Sequence, residues 1–196
     1  MIKTSLSIIG IDGSPVRGNV TALLSEALES AADEARTLGI YDPKTEAVRL
    51  AELGMPFHNG SFTDTPDALA PVFEKMRRAD AFIFATPVHW YNMSALTKCF
   101  IDWLTTLEAN FELQGKAAGA IAFCDSDDGN QAASSILTPL LHMGLAIPPY
   151  CAFYRNKFAP VHPDALWQLT DHRLVGLNVV RLALALRSNT RGWSLG

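Results

Sequence analysis

The chain has 196 residues, 48% of them hydrophobic and 18% charged, with a formal net charge of −4. That length suits one domain, and the apolar content fills a core, which excludes a disordered chain. The 16 basic residues are scattered, so neither nucleic acid nor a membrane surface is an expected partner. The first six residues are too short and mixed for a signal peptide, Asp12 interrupts them early, and no uncharged apolar run reaches the roughly 18 residues of a membrane span. Cys99, Cys124 and Cys151 show no paired spacing and read as free thiols of a reducing compartment. They share no ligand-type spacing with His58, His89, His142, His162 and His172, so no metal site is expected. A cytoplasmic protein is the expectation.

In chain order, Ser5 to Ile11 is a short β-type run that ends in the turn residues Asp12-Gly13-Ser14-Pro15. From Asn19 the period changes to three and four, through Val20, Leu23, Leu24, Ala27, Leu28, Ala31, Ala35 and Leu38, which is one face of a helix that Gly39 ends. Thr45 to Leu50 reads as a second strand. A polar stretch from Gly54 to Pro66 follows, then a helix over Asp67 to Arg78. Ala81 to Ala85 is a continuous apolar run, as in a strand buried on both faces. After a polar-aromatic loop, Thr86 to Asn92, a helix carries Leu96, Phe100, Trp103, Leu104 and Leu107 on one face. Ala117 to Cys124 is a buried strand, Asp125 to Asn130 a loop and Gln131 to Met143 a helix. Ala146 to Tyr154 reads as the last strand, with Pro148-Pro149 making its start irregular. A closing helix spans about Asp164 to Arg187.

Strands alternating with helices imply a parallel sheet covered on both faces. Five strands fit the doubly wound, flavodoxin-like order 2-1-3-4-5, a three-layer α/β/α fold whose crevice lies outside the strand carboxyl ends. One domain over 1–196 is expected, with a C-terminal helical extension at about 160–190.

Three loops should converge on that crevice. In the first, residues 13–21, a glycine-bearing turn leads into a helix N-terminus, where unpaired amides suit a phosphate. Ser14, Asn19 and Thr21 add donors and Arg17 a charge. Asn19-Val20 stands where a Walker A loop has Lys-Ser/Thr, and G-x-G-x-x-G is absent, so a monophosphate fits better than a triphosphate or a dinucleotide. The plainer alternative is that Gly13 and Asn19 form only a turn and a cap. The second, residues 86–94, puts the rings of His89, Trp90 and Tyr91 on a surface loop, where a flat heteroaromatic ligand would use them as walls. Ser94 or Asn92 as a helix cap is the plainer reading there. The third carries Asp125, Asp127 and Asp128 without the spacing of a calcium loop. It reads equally as a solvated loop with Asp128 or Asn130 as a cap.

Gly-Ser-Pro-x-x-Gly-Asn-x-Thr at 13–21, followed by a Leu-Leu-containing helix, resembles the FMN phosphate loop of the flavodoxin-like NAD(P)H-dependent FMN reductases. That family includes related iron–sulfur flavoproteins and quinone reductases. The stretch from Ala79 through Thr-Pro-Val-His-Trp-Tyr-Asn-Met-Ser at 86–94 to Leu104 is similar to the family's most diagnostic segment, and the likeness covers roughly residues 3–155. The resemblance implies FMN, with Ser14, Arg17, Asn19, Val20 and Thr21 at its phosphate and Pro87, Val88, His89, Trp90, Tyr91, Asn92 and Met93 lining the ring. Asp125 and Gly129 would add the third side. The chain departs from the family in three places. His89 replaces a commoner tyrosine, residues 54–62 lack cluster-binding cysteines, and the third loop carries aspartates where glycines are usual.

The implied activity is transfer of electrons from NADH or NADPH to a small acceptor such as a quinone or free flavin. No side chain is assigned a catalytic role, and His89 is the candidate proton donor on the rim. Negative charge on the third loop would lower the potential of the flavin. The alternatives are a flavodoxin-type electron carrier and a scaffold protein with a decayed flavin site. By analogy with the fold, a homo-oligomer (dimer or tetramer) is expected, with part of the final helix in the contact.

Overall fold

The computed structural model describes residues 5–125, 129–158, 170–187 and 193. Five strands form one parallel sheet: β1 (Ser5–Asp12), β2 (Asp42–Arg49), β3 (Ala81–His89), β5 (Ala117–Cys124) and β6 (Ala152–Asn156). Their order is β2-β1-β3-β5-β6, and every pairing among them is parallel. A two-residue piece, β4 (Asn92–Met93), pairs antiparallel with β3. With β4 set aside, this is the expected doubly wound order.

The period-2 rule sorts the strand side chains onto two faces. Ile9, Ile11, Phe82, Phe84, Ala118 and Ala120 point to one core, which also holds residues of α2 (Ala70–Arg78), α3 (Ala95–Trp103), α4 (Thr105–Glu108) and α5 (Gly129–His142). Leu6, Ile8, Ala81, Ile83, Ala117 and Ile121 point to the other, filled from outside by α1 (Asn19–Thr37) and α6 (His172–Leu186). The apolar stripe from Val20 to Ala35 is buried as its spacing requires. Helix α1 closes on a left-handed Gly39, with Ile40 N–H on Ala35 O and Gly39 N–H on Arg36 O, the paired bonds of a Schellman end.

Helix α6 spends its apolar side mainly on the core. Val175, Val179 and Val180 are fully buried, each contributing about 1.5–3 kcal/mol of burial. Two glycines let it approach: a Cβ on Gly119 would meet Val175 Cγ1 at 2.6 Å, and one on Gly176 would meet the Ala27 carbonyl at 2.0 Å. Leu174 lies at the surface, and Leu182 and Leu186 are half-buried against the core.

Several boundaries differ from the expectation. Strand β2 begins at Asp42 rather than Thr45. Helix α2 begins at Ala70 rather than Asp67, because Leu69 and Ala70 N–H groups fold back onto the Pro66 carbonyl first. The segment 86–92 is mostly not loop: β3 runs on to His89 and turns back as β4. The last strand is 152–156 and not 146–154; Ala146 makes only an isolated bridge to Ala117. Pro148 and Pro149 have no N–H for a ladder and Tyr150 has φ +57, so pairing restarts only past them. The closing helix is described from His172; its expected start at 164–169, most of the expected extension at 160–190, and Asp127 and Asp128 of the third loop lie outside the described residues. Among the described residues, no helix is long and apolar enough to cross a membrane. No group of three or more His, Cys, Asp or Glu among them could hold a metal ion.

Candidate functional site

The carboxyl ends of β1, β3 and β5 lie side by side, so their following loops share one rim, as the switch point of a doubly wound sheet dictates. The first two loops are bonded together. Gly13 N–H donates to Ala85 O (2.8 Å), and Ser94 Oγ donates to Gly13 O (2.6 Å). Ser94 also caps α3 by accepting from Thr97 N–H. Around it Ser94 N–H and the Thr97 hydroxyl both donate to Thr86 Oγ1, at 2.9 and 3.0 Å. All three hydroxyl residues are buried, so this cluster sets the distance between the phosphate-type turn and the aromatic hairpin.

In the first loop, residues 15–19 are exposed, and Gly18 stands at the α1 N-cap without a side-chain cap. No acidic residue occupies the first turn of this 19-residue helix, so its leading amides and positive dipole end face the rim uncapped. Ser14 Oγ donates to Val16 O (2.7 Å), which ties the turn together. Val20 is buried and brings only its amide. Thr21 donates its hydroxyl to Asp12 Oδ2 (2.7 Å), and Arg17 pairs with Glu52 (2.8 Å). Asn19 opens the helix at the surface.

The second loop is a two-residue hairpin turn. Trp90 (φ +48) and Tyr91 (φ +65) are both left-handed, the conformation of a turn that ordinarily takes Asn-Gly. An aromatic residue held there costs of order 1–3 kcal/mol, and burial does not offset it: Trp90 is 93% and Tyr91 60% exposed. His89 is exposed at the end of β3, Asn92 Oδ1 accepts from Met93 N–H, and Met93 is buried.

Between this hairpin and the ends of β5 and β6 lies a cavity of about 480 Å³. Its walls are Pro87 to Tyr91 on one side and Phe123, Cys124, Asp125 and Lys157 on the other. The exposed Asp125 carboxylate lies 3.9 Å from Lys157 Nζ, so its charge is offset by a cation. Gly129 is buried where α5 begins, and a Cβ there would strike Tyr154 at 2.4 Å, so it serves packing. A second hollow of about 840 Å³ lies across the hairpin between α3 and α5, and shares His89 and Trp90 with the first.

The uncapped helix N-terminus shares the rim with a ring-walled cavity that none of residues 13–21 lines, and the two together offer the kinds of group that a phosphorylated flat heteroaromatic needs. Residues 6–159 match the family described as NADPH-dependent FMN reductase. The chain belongs to that family. Its members are flavin oxidoreductases that carry FMN and take a nicotinamide as co-substrate. The chain is 33% identical over 134 residues to an iron–sulfur flavoprotein of Methanocaldococcus jannaschii, covering 64% of this chain and 66% of that one. It is 33% identical over 105 residues to an NAD(P)H-dependent FMN reductase of Pseudomonas aeruginosa, covering 52% of this chain and 51% of the relative. The chain thus spans about two thirds of the first relative and about half of the second. Among solved structures, the NAD(P)H:(acceptor) oxidoreductase of Paracoccus denitrificans superposes with TM-score 0.64 at 18% identity, covering 96% of this chain and 100% of that one. At these identities the structural likeness shows the shared fold.

The chain carries no cysteine between residues 54 and 62. Cys99, Cys124 and Cys151 are each buried; burial pushes the Cys151 thiol up to about 12. His58 of that stretch instead packs edge-on against Trp103, with centroids 4.6 Å apart, and the Trp103 indole N–H donates to Pro56 O (2.8 Å).

Sequence reading overlooked Asp12, Arg49, Glu52, Thr86, Thr97, Phe123 and Lys157. Asp12 and Arg49 carried a usable signal, since opposite charges end two strands that the order 2-1-3 makes neighbours. Lys157 carried none, because composition ends the last strand at Tyr154, two residues short of its observed end at Asn156.

Proposed function

We propose that this FMN reductase passes electrons from NADH or NADPH to a small diffusible acceptor, a quinone or free flavin. The observation that carries the reading is the exposed Trp90–Tyr91 turn, held in strained backbone beside an uncapped helix N-terminus. Packing gives no reason for that strain, and a stacking site does.

When bound, FMN supplies the acceptance of hydride and its release to a second substrate. The α1 amides at Asn19, Val20 and Thr21, with Ser14 and Arg17, hold the phosphate. Pro87 to Met93 form one wall at the ring, with the side chains of His89, Trp90 and Tyr91 and the backbone of Asn92 and Met93. Asp125, beyond the end of β5, forms the third side. His89, exposed and common to both hollows, donates a proton to the acceptor. Assembly as a homodimer or tetramer belongs to this reading.

The test is anaerobic. Protein loaded with FMN should lose its visible flavin absorbance on adding NADH or NADPH and regain it on adding a quinone. Loss of colour with dithionite but not with either nicotinamide points to an electron carrier instead. Protein that takes up no FMN points to a scaffold. His89→Phe should slow reoxidation in a single turnover; an unchanged rate dismisses the proton-donor role.

A further inference from the structure

Four charged side chains flank the 13–21 loop, and their charges cancel. Asp12, fully buried at the end of β1, accepts from Ser14 N–H through Oδ1 (2.9 Å). Its Oδ2 accepts from the Thr21 hydroxyl and from Arg49 Nη1, both at 2.7 Å. The Arg49 side chain is itself only 10% exposed; it donates further to Thr21 Oγ1 (3.0 Å) and, from Nε, to Glu52 (2.9 Å). Turning Arg49 outward would leave the Asp12 carboxylate buried and unpaired, which is strongly unfavourable. Arg49 is therefore a fixed part of the scaffold.

Arg17 is held differently. Its side chain is 72% exposed, that of Glu52 is 58% exposed, and they meet at 2.8 Å. A pair this open to water is weak and exchanges readily. Glu52 keeps its charge near neutrality, because Arg17 and then Arg49 hold its carboxyl below the usual range. A phosphate dianion at the α1 N-terminus offers Arg17 a stronger, charge-assisted partner. Of the two arginines beside the loop, Arg17 is the one that can turn to it, and Glu52 is what it has to leave.

We propose that Glu52 is a specificity-determining residue that competes with the phosphate of FMN for the Arg17 guanidinium. The exchange sets how strongly the loop prefers FMN to unphosphorylated riboflavin. It rests on placing the FMN phosphate at residues 13–21. Glu52 acts against phosphate binding in general: anions that cannot draw Arg17 away from it gain little from the loop. Its closeness to Arg49 keeps the carboxylate in place while Arg17 comes and goes.

The experiment measures FMN and riboflavin affinity by flavin fluorescence quenching in the wild type, Glu52→Gln, Arg17→Gln and the double variant. Glutamine keeps an acceptor for Arg49 and drops the charge, and thermal unfolding confirms that each exposed-site variant is folded. Glu52→Gln should bind FMN about two- to fivefold tighter, with riboflavin unchanged, and the gain should shrink as salt rises. In the Arg17→Gln background the gain should vanish. Persistence there would mean simple charge repulsion and would overturn the exchange. So would a Glu52→Gln protein that binds FMN no tighter, or riboflavin equally tighter. Arg17→Gln should lower the FMN-to-riboflavin affinity ratio; if that ratio is unchanged, the placement of the phosphate at this loop fails, and the proposal with it.

Discussion

Replacing Gly13 with alanine tests how the two rim loops are held together. A Cβ at Gly13 would lie 1.8 Å from Thr97 Oγ1, 3.1 Å from Thr97 Cβ and 3.2 Å from Ala85 O. Room can be made only by pushing the exit of β1 away from the start of α3, against the Gly13–Ala85 and Ser94–Gly13 bonds. Overpacking of this kind costs about 1–3 kcal/mol, and weakening one buried hydrogen bond adds about 1 kcal/mol. The sum, about 2–4 kcal/mol, lowers the Tm of a domain this size by roughly 8 °C at its midpoint. FMN affinity should fall as well, because the uncapped α1 end and the hairpin lose their spacing. Thermal unfolding of the apoprotein and fluorescence titration with FMN read the two effects. Thr97→Ala in the same chain removes the 1.8 Å contact and leaves the other two, so it should restore part of the stability. Gly18 provides the control, since a Cβ there meets nothing within 4 Å and its φ of 173° is extended. Gly13→Ala with a Tm within about 2 °C of wild type and an unchanged FMN affinity would refute the reasoning.

Trp90→Asn combined with Tyr91→Gly should raise stability by about 1 kcal/mol or more by removing strain and weaken FMN by about two- to tenfold through lost stacking; a chemical denaturation curve that does not move argues that the turn is unstrained. His172 is 1% exposed; burial holds its imidazole below the ordinary value, partly opposed by Glu26, whose carboxylate accepts from Nε2. As pH falls past about 6.5 the unfolded chain binds that proton before the folded one, so the stability contribution is full above this pH and is lost below it. His172→Gln should flatten the slope just below pH 6.5 in urea unfolding, and an unaltered slope would assign it to another group. Cys151, 1% exposed with its thiol pushed up to about 12, should resist a thiol reagent in the folded protein and react once denatured; rapid labelling of the native state at that position would contradict its burial.

Much of the fold was legible because its signals are short-range. The period of three and four from Val20 to Ala35, the unbroken apolar run at 81–85 and the turn chemistry at 12–15 each report local burial and local backbone. The single serious misreading, the last strand, came from the same source: residues 146–154 look strand-like by composition, and only pairing shows that the ladder restarts beyond Tyr150. Likewise 86–92 looked like a loop because it is polar and aromatic, whereas register extends β3 to His89.

By itself the amino-acid sequence determined a parallel doubly wound sheet, a glycine-bearing turn into a helix N-terminus at 13–21 and a ring-bearing segment at 86–93. Hydrophobic period and turn preference are properties of neighbours along the chain, so they can be read without a structure. Tertiary structure alone decided which side chains meet. It made Gly13 indispensable for close approach and left Gly18 unconstrained, although both read as turn glycines. It committed Arg49 to Asp12 across 37 positions and left Arg17 on an exchangeable carboxylate. It brought Lys157 to the cavity beside Asp125. Each of these outcomes depends on strand order and register, which are set by the packing of both sheet faces rather than by any local run of residues.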